Sequence, residues 1–189
     1  MKPTREHATN NAQTYFVSSD TWERCPRFRA EPWARLLIET FYVYRGSAYL
    51  LHEFVVMPDH FHVLISPVAS LERSVQFIKG GFSRRLTTEL QCHGEVWQRG
   101  FSDHRIRDAA DYDLHRNYIW QNLVKAHLCL RAEDYPYSSR HAGFSVDPIP
   151  QRLKPQFKVA AVGTAEAVPF QSGSSTTFSN RALDGENDG

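Results

Sequence analysis

Cysteine and long apolar runs are both scarce in this chain of 189 residues. Its three cysteines are odd in number, lie far apart and form no Cys-x-x-Cys pair, which argues against a disulfide framework and a cysteine zinc site. No segment approaches the roughly 20 apolar residues of a membrane-spanning helix, and the first residues lack the apolar core of a signal peptide. We therefore expect a cytoplasmic protein in a reducing compartment, with no membrane partner.

Net charge is also small, at +1 with a sequence pI of about 7.8, so the overall charge does not indicate a nucleic-acid partner. Positive charge is nevertheless concentrated between residues 73 and 107, where seven basic residues face three acidic ones. Such a segment could bind phosphates, although the same excess is typical of an ordinary solvated surface. The basic residues are Arg73, Lys79, Arg84, Arg85, Arg99, Arg105 and Arg107.

Hydrophobic periodicity predicts the fold. Strand patterns cover residues 13–19, 48–57, 60–66 and 97–106, and helix patterns cover 32–46, 70–91 and 108–130. Ser70 and Asp108 are suited to cap the second and third helices. The order β-α-β-β-α-β-α predicts an α+β protein with a split βαβ, ferredoxin-like antiparallel sheet, helices on one face and an additional C-terminal helix.

Composition also predicts the domain boundaries. Past Lys158 the chain is rich in Gly, Ser, Thr and acidic residues and has no hydrophobic period. Such a segment cannot bury enough apolar area to offset the entropy lost on ordering. We predict an N-terminal extension over 1–12, one domain over 13–145 and a flexible C-terminal tail over 146–189.

His60 and His62 are the most informative residues of the chain. They lie in a strand-like segment with the sequence His60-Phe-His-Val-Leu-Ile65. Residues i and i+2 of a strand share one face, so both imidazoles point the same way while Phe61 points the other. A single histidine is more often an ordinary core or surface residue, but two in phase on a rigid strand can chelate one divalent ion.

Tyr118 and Asn122 lie four residues apart on the last predicted helix and therefore share one of its faces. A helical tyrosine is usually a packing residue. Next to a metal site, however, its phenol becomes a candidate nucleophile, provided that a metal or base helps to remove its proton. Asn122 offers an amide oxygen to the same metal.

Four blocks of the sequence together resemble the single-tyrosine HUH transposases, and within them the REP-associated tyrosine transposases related to insertion-sequence 200/605 enzymes. The blocks occur in the family's order between about Gln13 and Gly143. They are Val56-Met-Pro-Asp-His-Phe-His-Val-Leu-Ile65, Trp97-Gln-Arg-Gly-Phe-Ser-Asp-His-Arg-Ile-Arg107, Tyr118-Ile-Trp-Gln-Asn-Leu-Val-Lys-Ala126 and Tyr135-Pro-Tyr-Ser-Ser139.

The resemblance implies the HUH endonuclease fold and a chemistry for these residues. His60, His62 and Asn122 would bind Mg²⁺ or Mn²⁺, and Tyr118 would attack a phosphate of single-stranded DNA to give a 5′-phosphotyrosine and a free 3′-hydroxyl. The protein would thus be a transposase with nicking and strand-transfer activity. Because nitrogen ligands do not suit Mg²⁺, we expect Mn²⁺ to support activity at least as well.

The resemblance also implies a partner, since the family acts on hairpin-forming repeats with an adjacent single-stranded cleavage site. We expect single-stranded or hairpin DNA to bind to the basic segment, and the protein to be a monomer or a homodimer. The candidate contacts to the DNA backbone are Lys79, Arg84, Arg85, Arg99, Arg105, Arg107 and Lys125.

The sequence departs from the family pattern at two places. Leu123 follows Asn122 where the family usually has proline, so the helix can continue past the asparagine. Gln13-Thr14-Tyr15 lacks a glycine that the family often has before the first strand. Two other functions stay open, a non-catalytic nucleic-acid-binding domain and a metal phosphodiesterase that uses water as its nucleophile.

Overall fold

A computed structural model describes residues 13–154, which form four strands and three helices in the predicted order. The strands are β1 (Tyr15–Asp20), β2 (Tyr49–Val56), β3 (His60–Pro67) and β4 (Ser102–Arg105), and the helices are α1 (Glu31–Tyr44), α2 (Leu71–Leu90) and α3 (Ala109–Lys125). Ser70 and Asp108 cap α2 and α3, because their side chains accept hydrogen bonds from the backbone N–H groups of Arg73 and Asp111.

The strands form one antiparallel sheet in the order β2-β3-β1-β4. β2 and β3 are joined by the short Met57–Asp59 connection, and Met57 N–H donates to the carbonyl of His60 to close the hairpin. β1 lies between β3 and β4, so the first strand is central in the sheet. The split βαβ topology predicted from the sequence is confirmed.

The helices α1 and α2 cover one face of this sheet. Alternate residues of the strands, among them Val17 of β1 and Phe61 and Val63 of β3, are fully buried beneath them. Phe41 of α1 packs edge-on against Phe61, with ring centroids 5.5 Å apart. Burial of these side chains removes apolar surface from water, which is the main stabilising term of such a fold.

Helix α3 packs on the opposite face of the sheet. A second core there contains Val55 of β2, Leu64 of β3 and the α3 residues Tyr112, Ile119 and Leu123. The sheet therefore has helices on both faces, with the C-terminal helix lying over the strand residues that point away from α1 and α2. Because α3 lies there, its side chains meet those residues of β3 that point to the same face.

Two elements are shorter than the sequence predicts. β4 spans only Ser102–Arg105, and Trp97, at the start of the predicted strand, instead forms an isolated bridge with Thr21. α3 ends at Lys125, and His127 adopts the left-handed region with φ of 54°. Leu130, the last residue of the predicted helical stripe, is accordingly 92% exposed.

Packing on the domain continues beyond residue 145, the predicted end of the domain. The Asp147 carboxylate pairs with Arg45 at 2.9 Å and accepts the backbone N–H of Leu51 at 2.7 Å, and Leu153 is buried in the second core. The predicted extension over 1–12 and the tail from 155 onward lie outside the described residues. Among residues 13–154, no helix has both the length and the apolar character needed to span a bilayer.

Candidate active site

The two histidines lie at the start of β3, on the face of the sheet that α3 covers. Phe61 between them enters the core on the other side, as the strand period predicts. The centroids of the two imidazole rings are 4.7 Å apart. Across the ladder, Asp20 of β1 pairs with His60 and Ser18 pairs with His62. The backbone of the sheet therefore holds both imidazoles side by side.

Asp59 orients the His60 ring. Its Oδ1 accepts a hydrogen bond of 2.6 Å from His60 Nδ1, and its Oδ2 accepts one of 3.0 Å from Arg24 Nε. Burial alone would raise the pKa of Asp59, but these two partners outweigh burial and hold the pKa below its ordinary value. Because the carboxylate keeps the proton on Nδ1, the lone pair of His60 lies on Nε2, where a metal can bind.

His62 is buried and uncharged at neutral pH. Burial, together with the neighbouring His60, lowers the pKa of His62 to about 3. Phe16 of β1 stacks on the imidazole with ring centroids 5.1 Å apart. Within residues 13–154, His62 Nδ1 is buried and has no hydrogen-bond partner. A neutral imidazole with an unsatisfied buried nitrogen is what a site completed by another group would contain.

Tyr118 brings a phenol to the same place from α3. Its ring meets Phe16 and His62 edge-on, with centroid distances of 5.7 Å and 5.5 Å. The side chain stays 46% exposed, so a bound molecule can reach it. The phenol and the two imidazoles therefore belong to one site within a single chain.

Asn122 lies one helical turn after Tyr118 and faces the same site. Its Nδ2 is another buried polar atom that lacks a hydrogen-bond partner among the described residues. α3 continues past Asn122 to Lys125, while Leu123 is fully buried in the second core. The leucine thus lets the helix continue, as expected, and the carboxamide still lies beside the histidines.

A cleft of about 460 Å³ joins these side chains. It is lined by Ser18, Asp20, Arg24, Met57, His60, His62, Tyr118, Asn122, Lys125 and Ala126. Two neutral imidazole nitrogens and one amide oxygen are a donor set that fits a divalent cation such as Mn²⁺, whereas Mg²⁺ prefers oxygen ligands throughout. The residues present therefore fit a resident divalent cation.

Comparison with known proteins shows which family this chain belongs to. A family model described as "Transposase IS200 like" matches residues 23–122, which is more than half of the chain. The chain belongs to the IS200-like transposase family. The resemblance carried by the four sequence blocks is confirmed.

Two curated relatives and one solved structure are similar to this IS200-like chain. A Haemophilus influenzae protein named as a REP-associated tyrosine transposase is 30% identical over 108 residues, which cover 51% of this chain and 61% of that protein. The REP-associated tyrosine transposase of Escherichia coli K12 is 26% identical over 137 residues, or 67% of this chain and 80% of that protein. The chain thus matches less than two thirds of the length of the Haemophilus relative.

The solved structure is that of a REP-associated tyrosine transposase bound to a REP hairpin. It matches the IS200-like chain with a TM-score of 0.61 at 22% identity, over 74% of this chain and 82% of that one. This likeness shows a shared fold, and the predicted HUH-type α+β architecture is confirmed.

Two of the predicted DNA-contacting residues of this IS200-like chain lie at or next to the cleft. Lys125 lines the cleft itself. Arg99 lines an adjoining depression that shares Ser18 and Asp20 with the cleft.

The other predicted contacts have different surroundings. Lys79 Nζ donates to the carbonyls of Gln98 and Gly100 at 2.8 Å and 2.6 Å, so it holds the loop that carries Arg99. Arg84 is exposed on α2. Arg85 pairs with Glu39 and Glu89, Arg105 bonds to Gln13, and Arg107 pairs with Asp111, at distances between 2.6 Å and 3.2 Å. Their DNA contacts stay predictions.

Asp59, Arg24 and Phe16 belong to the site but are not among the residues predicted for it from the sequence. Asp59 directly precedes His60, and this adjacency was a usable signal, since ligating histidines usually have a carboxylate partner. Phe16 reaches His62 only through the pairing of β1 with β3, which the sequence does not specify. Arg24 reaches the cleft through a left-handed backbone conformation with φ of 51°, which no local motif indicates.

Proposed function

We propose that this chain is a metal-dependent transposase that cleaves and rejoins single-stranded DNA near hairpin repeats through a 5′-phosphotyrosine intermediate. The observation that carries the proposal is the convergence of one phenol, two imidazoles and one carboxamide on a single cleft of one chain. Membership of the IS200-like family supports it. The buried His62 Nδ1, which has no hydrogen-bond partner among the described residues, also supports a site that another group completes.

Tyr118 acts as the nucleophile in this proposal. Its phenolic oxygen forms a bond to the scissile phosphorus and gives its proton to water, which reaches the half-exposed side chain. A cation held by the neighbouring residues would favour the loss of that proton. The bond from phosphorus to the 3′-oxygen breaks, and that oxygen takes up a proton to become a free 3′-hydroxyl. Since the phosphotyrosine conserves the phosphodiester bond, attack by another 3′-hydroxyl rejoins a strand without a further energy source.

His60, His62 and Asn122 would hold the divalent cation, either Mn²⁺ or Mg²⁺. The bound cation supplies charge that polarises a phosphate and helps to neutralise the transition state. The chain's own residues contribute to the same end. Asp59 keeps the His60 ring in the ligating tautomer, and Lys125 adds positive charge to the cleft where negative charge develops.

The relatives support DNA as the partner of this chain. One structural neighbour is a transposase bound to a REP hairpin, and we propose that a hairpin with adjacent single-stranded DNA also binds here. Lys125, which lines the cleft, and Arg99, which lines the adjoining depression, would contact the strand nearest Tyr118. Since nucleophile and histidines come from one chain, a monomer would be sufficient for cleavage, and a homodimer would contain two such sites.

Trapping the covalent intermediate tests the proposal. The wild-type protein is incubated with Mn²⁺ and single-stranded oligonucleotides from the DNA that flanks its gene, and the products are separated on denaturing gels. With a 3′ label, the wild type should give a slowly migrating protein–DNA adduct. With a 5′ label, it should give a shortened strand that ends in a free 3′-hydroxyl. Tyr118→Phe should abolish both products.

Tyr44→Phe is the matched control, because it removes a hydroxyl at the C-terminal end of α1, on the opposite face of the sheet. It should form the adduct at the wild-type rate. Cleavage without an adduct in Tyr118→Phe would instead support a water-dependent phosphodiesterase. Binding without any cleavage by the wild type, in either metal, would support the non-catalytic binding domain.

A further inference from the structure

A second group of metal-binding side chains lies on the α3 face of the sheet, outside the cleft. It consists of His104 from β4, Asp111 from the first turn of α3 and His115 one turn later. Asp111 follows His104 by seven positions in the chain, and the antiparallel pairing of β4 with β1 brings the strand under α3. Neither His104 nor His115 takes part in the proposed cleavage reaction.

The three side chains are already close to the spacing that a metal requires. His104 Nε2 lies 3.0 Å from Asp111 Oδ2, and His115 Nδ1 lies 3.1 Å from Asp111 Oδ1. One ligand atom from each residue lies within 4.8 Å of the other two. In a tetrahedral zinc site with bonds of about 2.0 Å, ligand atoms are about 3.3 Å apart. A small closing movement would place all three around one ion.

The surroundings hold the group in place. The Asp111 side chain is only 4% exposed, while His104 is 42% exposed and leaves a path from solvent. The two imidazole rings stack at 4.4 Å with an interplanar angle of 16°. Arg107 also donates to Asp111 Oδ2 through its backbone N–H and its Nε, at 3.1 Å and 3.2 Å. These bonds hold the carboxylate in place, with its Oδ1 3.2 Å from His104 Nε2 and 3.1 Å from His115 Nδ1.

We propose that His104, Asp111 and His115 form a second, structural metal site that binds Zn²⁺. Two imidazoles and one carboxylate, with water as the remaining ligand, are a donor set that zinc accepts in proteins. On binding, each imidazole keeps its single proton on the ring nitrogen that does not ligate. His104 would bind through Nε2, and His115 would bind through Nδ1 after giving up its hydrogen bond of 2.9 Å to the backbone carbonyl of Asp111. The ion would tie β4 to α3 three residues before Tyr118 and so fix the helix that carries the nucleophile.

The test uses the full-length protein with both cleft histidines removed, His60→Ala and His62→Ala, so that the candidate active site cannot bind the ion. After treatment with a chelator and its removal, Zn²⁺ is titrated by calorimetry. A single Zn²⁺ should bind per chain and raise the Tm. Adding His104→Ala should weaken binding by at least about tenfold and abolish the Tm shift.

Two comparisons keep this result specific. His93→Ala in the same background removes an exposed histidine of the loop after α2 and should leave zinc binding unchanged. Asp111→Asn keeps the shape of the side chain but removes its charge, and it should weaken binding as His104→Ala does. Absence of zinc binding in the double cleft variant, or binding that survives both substitutions, would overturn the proposal. Neither outcome would bear on cleavage by Tyr118.

Discussion

Asp59 shows how a single residue next to a ligand can set the properties of the cleft. One carboxylate oxygen accepts a hydrogen bond from His60 Nδ1, and the other accepts one from the Arg24 guanidinium. A ligating histidine whose other nitrogen donates to a carboxylate is fixed in one tautomer and is a stronger base towards a metal. Asp59 should therefore affect metal binding through its negative charge as well as by orienting the His60 ring.

Asp59→Asn tests this effect. The amide oxygen can still accept the His60 proton, but the negative charge is lost, so the affinity for Mn²⁺ should fall about 10- to 100-fold. Calorimetric titration with Mn²⁺, with far-ultraviolet circular dichroism to check folding, measures the change directly. Glu31→Gln removes a carboxylate from the first turn of α1, on the opposite face of the sheet, and should leave the affinity unchanged. Equal affinities for all three proteins would show that Asp59 has no such role.

At this scale the sequence predicts the His60–His62 pair well, because the two-residue period of a strand determines which side chains share a face. It predicts much less about their neighbours. The contact of Phe16 with His62 depends on the register between β1 and β3, and a shift of one residue would turn Phe16 to the other face. Register is set by the packing of the whole sheet, so it could not be read from either strand alone.

Among the helices, the adjacent residues Gly80 and Gly81 of α2 have different structural roles. A Cβ added at Gly80 would meet no atom within 4 Å, since this residue faces solvent. A Cβ at Gly81 would lie 2.5 Å from Cε2 of Tyr44 at the end of α1. The sequence predicts only that both glycines weaken the helix. The structure shows that Gly81 permits close contact between α1 and α2.

Alanine substitutions should therefore have opposite effects at the two positions. Gly80→Ala should raise the free energy of unfolding by about 0.5–1 kcal/mol, because alanine loses less backbone entropy in a helix. Gly81→Ala should lower it by about 1–3 kcal/mol, since the Tyr44 ring, which packs on Phe77 at 5.0 Å, has to move. Urea unfolding of the two variants and the wild type gives both values. Stabilisation by Gly81→Ala would show that the helices are not in such close contact.

The end of α3 shows why helix length is harder to predict than helix position. Apolar residues recur to Leu130, yet the helix ends at Lys125, and His127 takes a left-handed conformation. Leu123 is the last α3 residue that reaches the second core. Leu128 and Cys129 still pack against this core from outside the helix, whereas Leu130 is exposed, so the apolar period of the sequence continues where the helix does not.

At the scale of the whole molecule, two groups of ionisable side chains lie on the α3 face of the sheet and contact the same phenylalanine. Phe16 lies between His62 in the cleft and His115 in the second group, with ring centroids 5.1 Å and 5.0 Å away. Burial alone would raise the pKa of Asp111, but hydrogen bonds from His104 and Arg107 outweigh burial and lower it to about 2. The charged carboxylate thus stabilises the folded chain by joining β4 to the start of α3.

This stabilisation should disappear in acid, within a defined pH range. Because the pKa of Asp111 falls from 3.8 in the unfolded chain to about 2 in the folded one, its contribution is complete above about pH 4 and is lost as the pH falls towards 2. The difference of nearly two pKa units corresponds to about 2 kcal/mol.

His62 also destabilises the folded chain in acid, because the unfolded chain binds a proton on this histidine more readily than the folded chain, in which its pKa is about 3. The informative quantity is therefore the difference between wild type and Asp111→Asn, measured by urea unfolding with a chelator present. That difference should shrink as the pH falls from about 4 towards 2. A difference that does not change over this range would show that the Asp111 carboxylate is not stabilised by its charged partners.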